Sequence, residues 1–287
     1  MNNQLSYCIA GTMSWGLSGK NLSIAECSNL ILNYINQNIN TFDLADIYGG
    51  YTTEELFGIA LKHSNIDRNK IKIISKCGIA YPNLINNYEI KHYDYSKEYI
   101  IKAVERSLKL IQTDYLDILL LHRPSPLLNV NEVAEAYHYL YSNGMIKEIG
   151  VSNFLPKQID LLKQYIPIKY NQLQFSITHH LDLSNGTFEY LQLHNIQPMA
   201  WNPTGNFYKE NIDIDIKNKF LSYCKENNWN PNLVLFAWIL KHPAKIAPVL
   251  GTTNLLNINQ LNMLSNIKLS TEDWFHLYTI FLNKNVP

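Results

Sequence analysis

Short β-branched and aliphatic runs alternate along the chain with longer amphipathic ones. The strand-like runs are Tyr7–Ala10, Asn40–Leu44, Lys72–Ser75, Asp117–Leu121, Glu148–Val151, Asn171–Phe175, Gln197–Trp201 and Ala247–Leu250. Between them lie helical patterns at Ile24–Asn38, Lys97–Gln112, Asn131–Asn143 and Pro156–Tyr165. In the first helix Ile24, Cys27, Leu30, Ile31, Tyr34 and Ile35 recur at three- and four-residue steps, the stripe that lets an outer helix cover a sheet. Strict strand–helix alternation predicts parallel strands covered by helices. Eight such units in 287 residues predict an α/β fold, a closed (β/α)8 TIM barrel forming a single domain over residues 1–287. An open doubly wound sheet usually carries a glycine-rich fingerprint after its first strand. Here the first turn reads AGTMSWG, and no GxGxxG is present.

Composition narrows the class further. At 46% hydrophobic and 17% charged residues the chain has an ordinary globular composition. Its 24 basic and 24 acidic side chains cancel, leaving no electrostatic footprint for nucleic acid or an anionic membrane, so neither is an expected partner. Cys8, Cys27, Cys77 and Cys224 stand far apart, which fits reduced thiols in a cytoplasmic protein better than disulfides or a zinc site. The polar start MNNQ shows no secretory signal. The longest apolar run, Leu233–Leu240, is far short of the ~20 residues that a membrane span needs. No exposed apolar stripe stands out, so a monomer is the default.

In a barrel of this type the reactive groups sit where strands end and βα loops begin. The second strand runs into TFDLADIYGG, which puts Asp43 near its end and Tyr48 in the loop above. Gly49-Gly50 makes a turn, and Thr52-x-x-Glu55 has the capping-box spacing that starts a helix. The third strand ends in ISKCG; its Lys76 is awkward to bury unless a partner holds the charge. The fourth ends at His122, before Arg123-Pro124. Neighbouring strands are ~5 Å apart, so these side chains can converge. An ammonium beside a tyrosine lowers the phenol pKa, and a carboxylate keeps that ammonium charged and oriented. Such a tyrosine exchanges a proton with a carbonyl or alcohol oxygen, to which the histidine gives a second hydrogen bond. This chemistry needs no metal.

Each residue alone has a plainer reading. Asp43 suits a loop turn, with Asp46 the rival for the carboxylate role; Tyr48 is one of 19 tyrosines; Lys76 suits a snorkelling rim position. Together, at adjacent strand ends, they favour chemistry. Trp15, Tyr51, Tyr81 and Phe154 lie in loops of the same rim and are candidates to wall a substrate pocket, Trp15 foremost. His179-His180 read as a solvated loop.

GTM at Gly11–Met13, FDLADIYGG, ISKCG, LLLHRP, IGVSNF, QLQFS and MAWNPTG follow one another as in the aldo-keto reductases, which the chain resembles over almost its whole length. ADIYGGY, SKCGIA, HRP, GVSNF, PMAW and the terminal Val-Pro are most similar to the bacterial YdhF-like oxidoreductases. The resemblance implies NAD(P)H-dependent reduction of a small aldehyde or ketone. Tyr48 would be the general acid, tuned by Lys76 and Asp43, with His122 orienting the carbonyl. For the cofactor it implies Thr12, Met13 and Asp43, with Ser152, Asn153 and Gln174 on the carboxamide and Trp201 stacked on the ring. Asn202, Thr204 and Gly205 would follow the pyrophosphate, and Gly251, Thr252, Thr253 and Asn254 the adenosine phosphate. Some relatives act as potassium-channel β subunits, so a cofactor-holding regulatory role is the alternative. A Schiff-base lyase using Lys76 is a third reading, which leaves Asn153 and Gln174 unexplained.

The chain departs from the family where a lysine and an arginine usually meet the 2′-phosphate of NADP(H). No Lys or Arg occurs between Lys245 and Lys268, and Asn254 and Asn257 stand roughly where the cations would be. Charge-assisted bonds are about twice as strong as neutral ones. The expectation is a weakened preference for NADPH and comparable use of NAD(H). The WNPTGNF loop also differs from the family's usual Ser-x-Leu-Gly-Gly-Gly type.

Overall fold

A computed structural model describes residues 5–82, 88–209 and 212–286. The MNNQ start and Pro287 of the Val-Pro end therefore lie outside the described residues. The strands are β1 (Ile9–Gly11), β2 (Thr41–Asp43), β3 (Lys72–Cys77), β4 (Ile79–Ala80), β5 (His92–Tyr93), β6 (Leu116–Leu121), β7 (Ile146–Ser152), β8 (Ile168–Gln174), β9 (Gln197–Trp201) and β10 (Ala247–Leu250). Eight of them close into a barrel in the order β1-β10-β9-β8-β7-β6-β3-β2, with every pair parallel. The predicted barrel is thus observed, with strand ends displaced by at most three residues. β4 and β5 were not predicted; they form a short antiparallel pair above β3 in sequence, too brief to show a period.

Helices α1 (Ile24–Asn36), α2 (Thr53–His63), α3 (Lys97–Ile111), α4 (Val130–Ser142), α5 (Pro156–Lys163), α6 (Thr187–Leu193), α7 (Ile214–Glu226), α8 (Pro231–Leu240), α9 (Leu255–Asn259) and α10 (Thr271–Leu282) complete the layer outside. α1 buries Cys27, Leu30, Ile31 and Tyr34, and Ser23 caps it through a reciprocal box with Glu26. The box expected at Thr52 is absent: the Thr52 hydroxyl donates instead to the Gly49 carbonyl. Glu54, rather than facing solvent in the first turn of α2, turns inward to accept from Ser75 and Ser107. The apolar run of α8 is a core helix. Its Trp238 stacks on Trp274 with centroids 4.7 Å apart and planes 6° from parallel. Among the described residues no helix is long and apolar enough to cross a membrane.

Asparagine has a use in this fold that composition did not disclose. Of eleven described non-glycine residues with positive φ, eight are asparagines. Its short amide can bond locally to the backbone and so tolerates the left-handed region better than most side chains.

Inside the barrel, Leu5, Ile9, Ile74, Ile118, Leu120, Tyr170, Met199, Ala247 and Val249 form a separate buried cluster. Side chains two apart on a strand share a face. Lys76 therefore follows Ile74, His122 follows Leu120, and Gln172 with Gln174 follows Tyr170. The top layer of the barrel core is polar because the strands run on past their last apolar inward position.

Gly150 shows how closely β6, β7 and β8 approach. A Cβ there would stand 2.7 Å from both Leu120 Cδ2 and Tyr170 Cβ, where the β7–β8 register shifts. Gly150→Ala is expected to destabilise the protein by about 1–3 kcal/mol through overpacking. Urea unfolding checks it; an unchanged midpoint contradicts the tight approach.

Candidate active site

Lys76 is 1% exposed, and each ammonium proton has an acceptor. Its Nζ donates to Asp43 Oδ2 at 2.7 Å, to the Leu44 carbonyl at 2.7 Å and to the Tyr48 hydroxyl at 3.0 Å. Asp43 is fixed from three more directions. The Thr12 amide and hydroxyl both donate to its carbonyl, and Gln172 Nε2 donates to Oδ1 at 2.8 Å. Tyr48 rides on a short 3₁₀ turn whose Gly49 and Gly50 have φ of 60° and 67°. A Cβ on Gly49 would collide with the Thr52 and Thr53 hydroxyls, so glycine is required sterically as well as conformationally. His122 is buried, with its ring 6.1 Å from that of Tyr48 and nearly perpendicular to it.

Asp46, the rival carboxylate, does not reach the amine. Its amide donates to the Lys76 carbonyl, while its buried Oδ1 has no protein partner. Burial, reinforced by Glu54, pushes its pKa well above the ordinary carboxylate range.

The electrostatics set each group's resting proton. For Lys76, burial opposes the charge, but attraction to Asp43 and then Tyr48 outweighs it and raises the pKa. That holds the amine as an ammonium and disfavours the Schiff-base reading. For Tyr48, burial raises the pKa and the Lys76 charge only partly offsets it. The net direction is opposite to the lowering expected from the lysine alone, and it leaves a phenol, not a phenolate, at neutral pH. Burial, then the charges of Lys76 and Arg123, lowers His122 well below its ordinary 6.5. The rim therefore presents a neutral phenol and a neutral imidazole, with an ammonium behind the phenol.

Of these residues Asp43 and Tyr48 border a cavity of about 650 Å³ that runs to Asn257 and Gln260. A second, of about 350 Å³, shares the Trp201 wall and is bordered by Arg123, Asn153, Gln174 and His179. Residues 8–280 match the aldo/keto reductase family. The chain belongs to that family. Oxidoreductase YdhF of Escherichia coli is 34% identical over 278 residues, covering 95% of this chain and 93% of that protein. A 6-dehydroglucose reductase of Agrobacterium fabrum is 39% identical over 254 residues, covering 87% and 86% respectively. Among solved structures, an aldo/keto reductase from Klebsiella pneumoniae in complex with NADP and acetate superposes with TM-score 0.80 at 22% identity, covering 96% of this chain and 91% of that one.

Within this aldo/keto reductase most of the predicted cofactor contacts line one cavity or the other, and the rest line neither. Met13, Asp43, Trp201, Asn202, Thr204, Gly251, Thr252 and Asn257 line the larger cavity. Asn153 and Gln174 line the smaller one, where Asn153 Oδ1 accepts from Trp201 Nε1 at 2.9 Å. Ser152 lies beneath, accepting from Asn153 Nδ2. Thr12 is fully buried and serves Asp43. Gly205 is buried against the Ser176 and Thr178 hydroxyls rather than the cavity, a correction to its expected pyrophosphate contact. Asn254 spends its side chain capping α9.

The pocket-wall expectation is mostly overturned. Trp15 is completely buried in the outer core, 6.3 Å from the Phe57 ring, because its loop folds down onto α2. Tyr51 is buried, bonded to Ile79 and Tyr81. Phe154 borders the smaller cavity although only 1% exposed. Tyr81 alone of the four is exposed. His180 packs on Tyr278, whereas His179 lines the smaller cavity.

Sequence reasoning missed Gln172 as the second clamp on Asp43; its two-residue phase with Gln174 carried the signal. It also missed Lys209, which lines the larger cavity, and Lys20, whose Nζ donates to Thr253 Oγ1 at 2.6 Å. Neither has a local signal, since both come from loops remote from β10.

A His pKa depressed in the fold contributes stability that is complete above the unfolded value of 6.5 and is lost as pH falls towards the folded one. Between pH 6.5 and 5 the wild type should lose more stability than His122→Asn, by up to about 1.4 kcal/mol per pH unit. Urea melts across that range test this; parallel pH profiles would contradict a neutral buried imidazole.

Proposed function

We propose that residues 1–287 form one aldo/keto reductase domain that reduces a small aldehyde or ketone to an alcohol, with NAD(P)H as the second substrate. The observation that carries this reading is the Lys76 ammonium bonded at once to Asp43 Oδ2 and the Tyr48 hydroxyl inside the barrel mouth. The relative that reduces 6-dehydroglucose supports a carbonyl substrate.

The larger cavity suits a nicotinamide dinucleotide. It pairs the flat Trp201 indole and apolar Leu233, Phe236 and Val249 with amides at Asn202, Asn232 and Asn257. Its Asp43 is already neutralised by Lys76, while Lys209 adds positive charge, which suits a polyanion. Met13, Trp201, Asn202, Thr204, Gly251, Thr252 and Asn257 would hold it, with Ser152, Asn153 and Gln174 reaching the carboxamide after Trp201 Nε1 releases Asn153. When bound, the cofactor supplies the hydride for the carbonyl carbon.

The protein's part is proton delivery and charge stabilisation. Tyr48, kept neutral by burial, hydrogen-bonds the carbonyl oxygen and gives up its proton as negative charge grows there. The phenolate left behind meets the ammonium of Lys76, oriented by Asp43. The His122 imidazole supplies a second hydrogen bond to that oxygen, worth most where water is excluded.

A panel of aldehydes with NADPH or NADH, followed by loss of nicotinamide absorbance, tests the reading. Tyr48→Phe should lower kcat roughly 10²–10⁴-fold while cofactor affinity stays near wild type. Unchanged turnover would remove Tyr48 from the mechanism. Binding of cofactor with no turnover on any carbonyl would favour a regulatory subunit instead.

For the cofactor phosphate, the loop after β10 lacks cations, but Lys20 meets it at Thr253 and Lys209 lines the same cavity. These partly replace the missing charge. Fluorescence-quenching titration should show NADPH tighter than NADH by less than about a hundredfold, because two exposed cations replace buried charge-assisted contacts incompletely. A larger ratio would show that the remote lysines compensate fully.

A further inference from the structure

Arg123 is placed beside the tetrad, yet the proton transfer above makes no use of it. It follows His122 directly, and Tyr95 holds its backbone by accepting from the Arg123 amide and donating to the Arg123 carbonyl. Tyr95 reaches that position across Gly78, whose φ is 106° and where any Cβ would collide with the phenol ring. The guanidinium is half-buried, its carbon 5.5 Å from the Trp201 ring centroid. It borders the cavity of about 350 Å³ with Asn153, Gln174, His179 and Asp182. No described carboxylate forms an ion pair with it; Asp182, which borders the same cavity, accepts from Asn185. Its charge is felt at the reacting groups, contributing to the depression of His122 and partly offsetting the rise at Tyr48.

A guanidinium has five donors in a planar fork and no acceptor. Fixed by its backbone over an indole, with no carboxylate among the described residues to complete it, it is half of an anion site. The other half must come from what enters the cavity. In the reading above Tyr48 and His122 would hold the carbonyl oxygen, and Trp201 walls both the cavity at Tyr48 and the one at Arg123, so a substrate's anionic group would lie on the Arg123 side of that indole. We infer that Arg123 selects carbonyl substrates that carry such a group, a carboxylate or a phosphate. The inference rests on the carbonyl-reduction reading above and deepens it.

Kinetics on substrate pairs of matched length test it: succinic semialdehyde against butanal, and glyceraldehyde 3-phosphate against glyceraldehyde. Wild type should favour at least one anionic member by about tenfold or more in kcat/KM. Arg123→Gln should abolish that ratio, chiefly through KM, and Arg123→Lys should restore part of it. The two arms show whether carboxylate or phosphate is the better fit. An Arg123 that only tunes Tyr48 by its charge would instead lower kcat for both members of a pair equally. That result, or a wild type indifferent to charge, overturns the inference. A second readout needs no turnover: malonate should quench tryptophan fluorescence saturably in wild type and not in Arg123→Gln. Saturable quenching by malonate in a protein inert to every carbonyl would sink the reductase reading and leave the anion site standing; absence of quenching would count against the site.

Discussion

The ammonium of Lys76 sits inside the barrel with almost no access to solvent, and its need for acceptors organises everything around it. A lysine cannot be buried charged unless its protons are matched, and removing one partner of such a pair costs about 3–5 kcal/mol. Asp43, the Leu44 carbonyl and Tyr48 are the three answers to that need. Two lie on the strand beside β3 or immediately after it, and the third hangs from the loop that follows. Asp43 is in turn pinned by Thr12 from β1's loop and by Gln172 from across the barrel. Four separate segments of the chain thus meet on one charged pair.

Burial acts on these groups in opposite senses, and the balance suits proton donation. It raises the phenol and depresses the imidazole, so both are neutral before any reaction. The lysine escapes the same penalty because its carboxylate partner is equally buried. An ammonium behind a neutral phenol is the arrangement that stabilises the phenolate only once the proton has gone. The same low-dielectric setting makes each hydrogen bond to a developing oxyanion stronger than it would be in water.

Trp201 divides the space above this centre. Its indole is a wall of both cavities, and its Nε1 occupies the Asn153 amide. Two loops carry the asparagines that frame it: Asn153 and Asn202 each adopt a left-handed backbone, with φ of 62° and 54°. Those turns aim the chain back over the barrel mouth at the ends of β7 and β9. The abundance of asparagine in this protein is, at these points, a way of bending the backbone where glycine would leave no side chain to bond.

The sequence by itself determined the barrel, its eight strands to within three residues, and the four groups at their ends. Hydrophobic period and strand-end position are local properties, and Asp43, Lys76 and His122 each follow an apolar run that announces them. Tertiary structure decided what local pattern does not encode. It chose Asp43 over Asp46, because only one of two carboxylates three residues apart points at the amine. It buried Trp15 although its loop belongs to the reactive rim, turned Gly205 away from the cavity, and reversed the expected shift of Tyr48, since burial depends on every neighbour and not on the nearest charge. It brought Lys20 to Thr253 across 233 positions of sequence. Charge placed by remote loops leaves no trace in the segment that lacks it, so the cation count after β10 was legible while the charge around it was not.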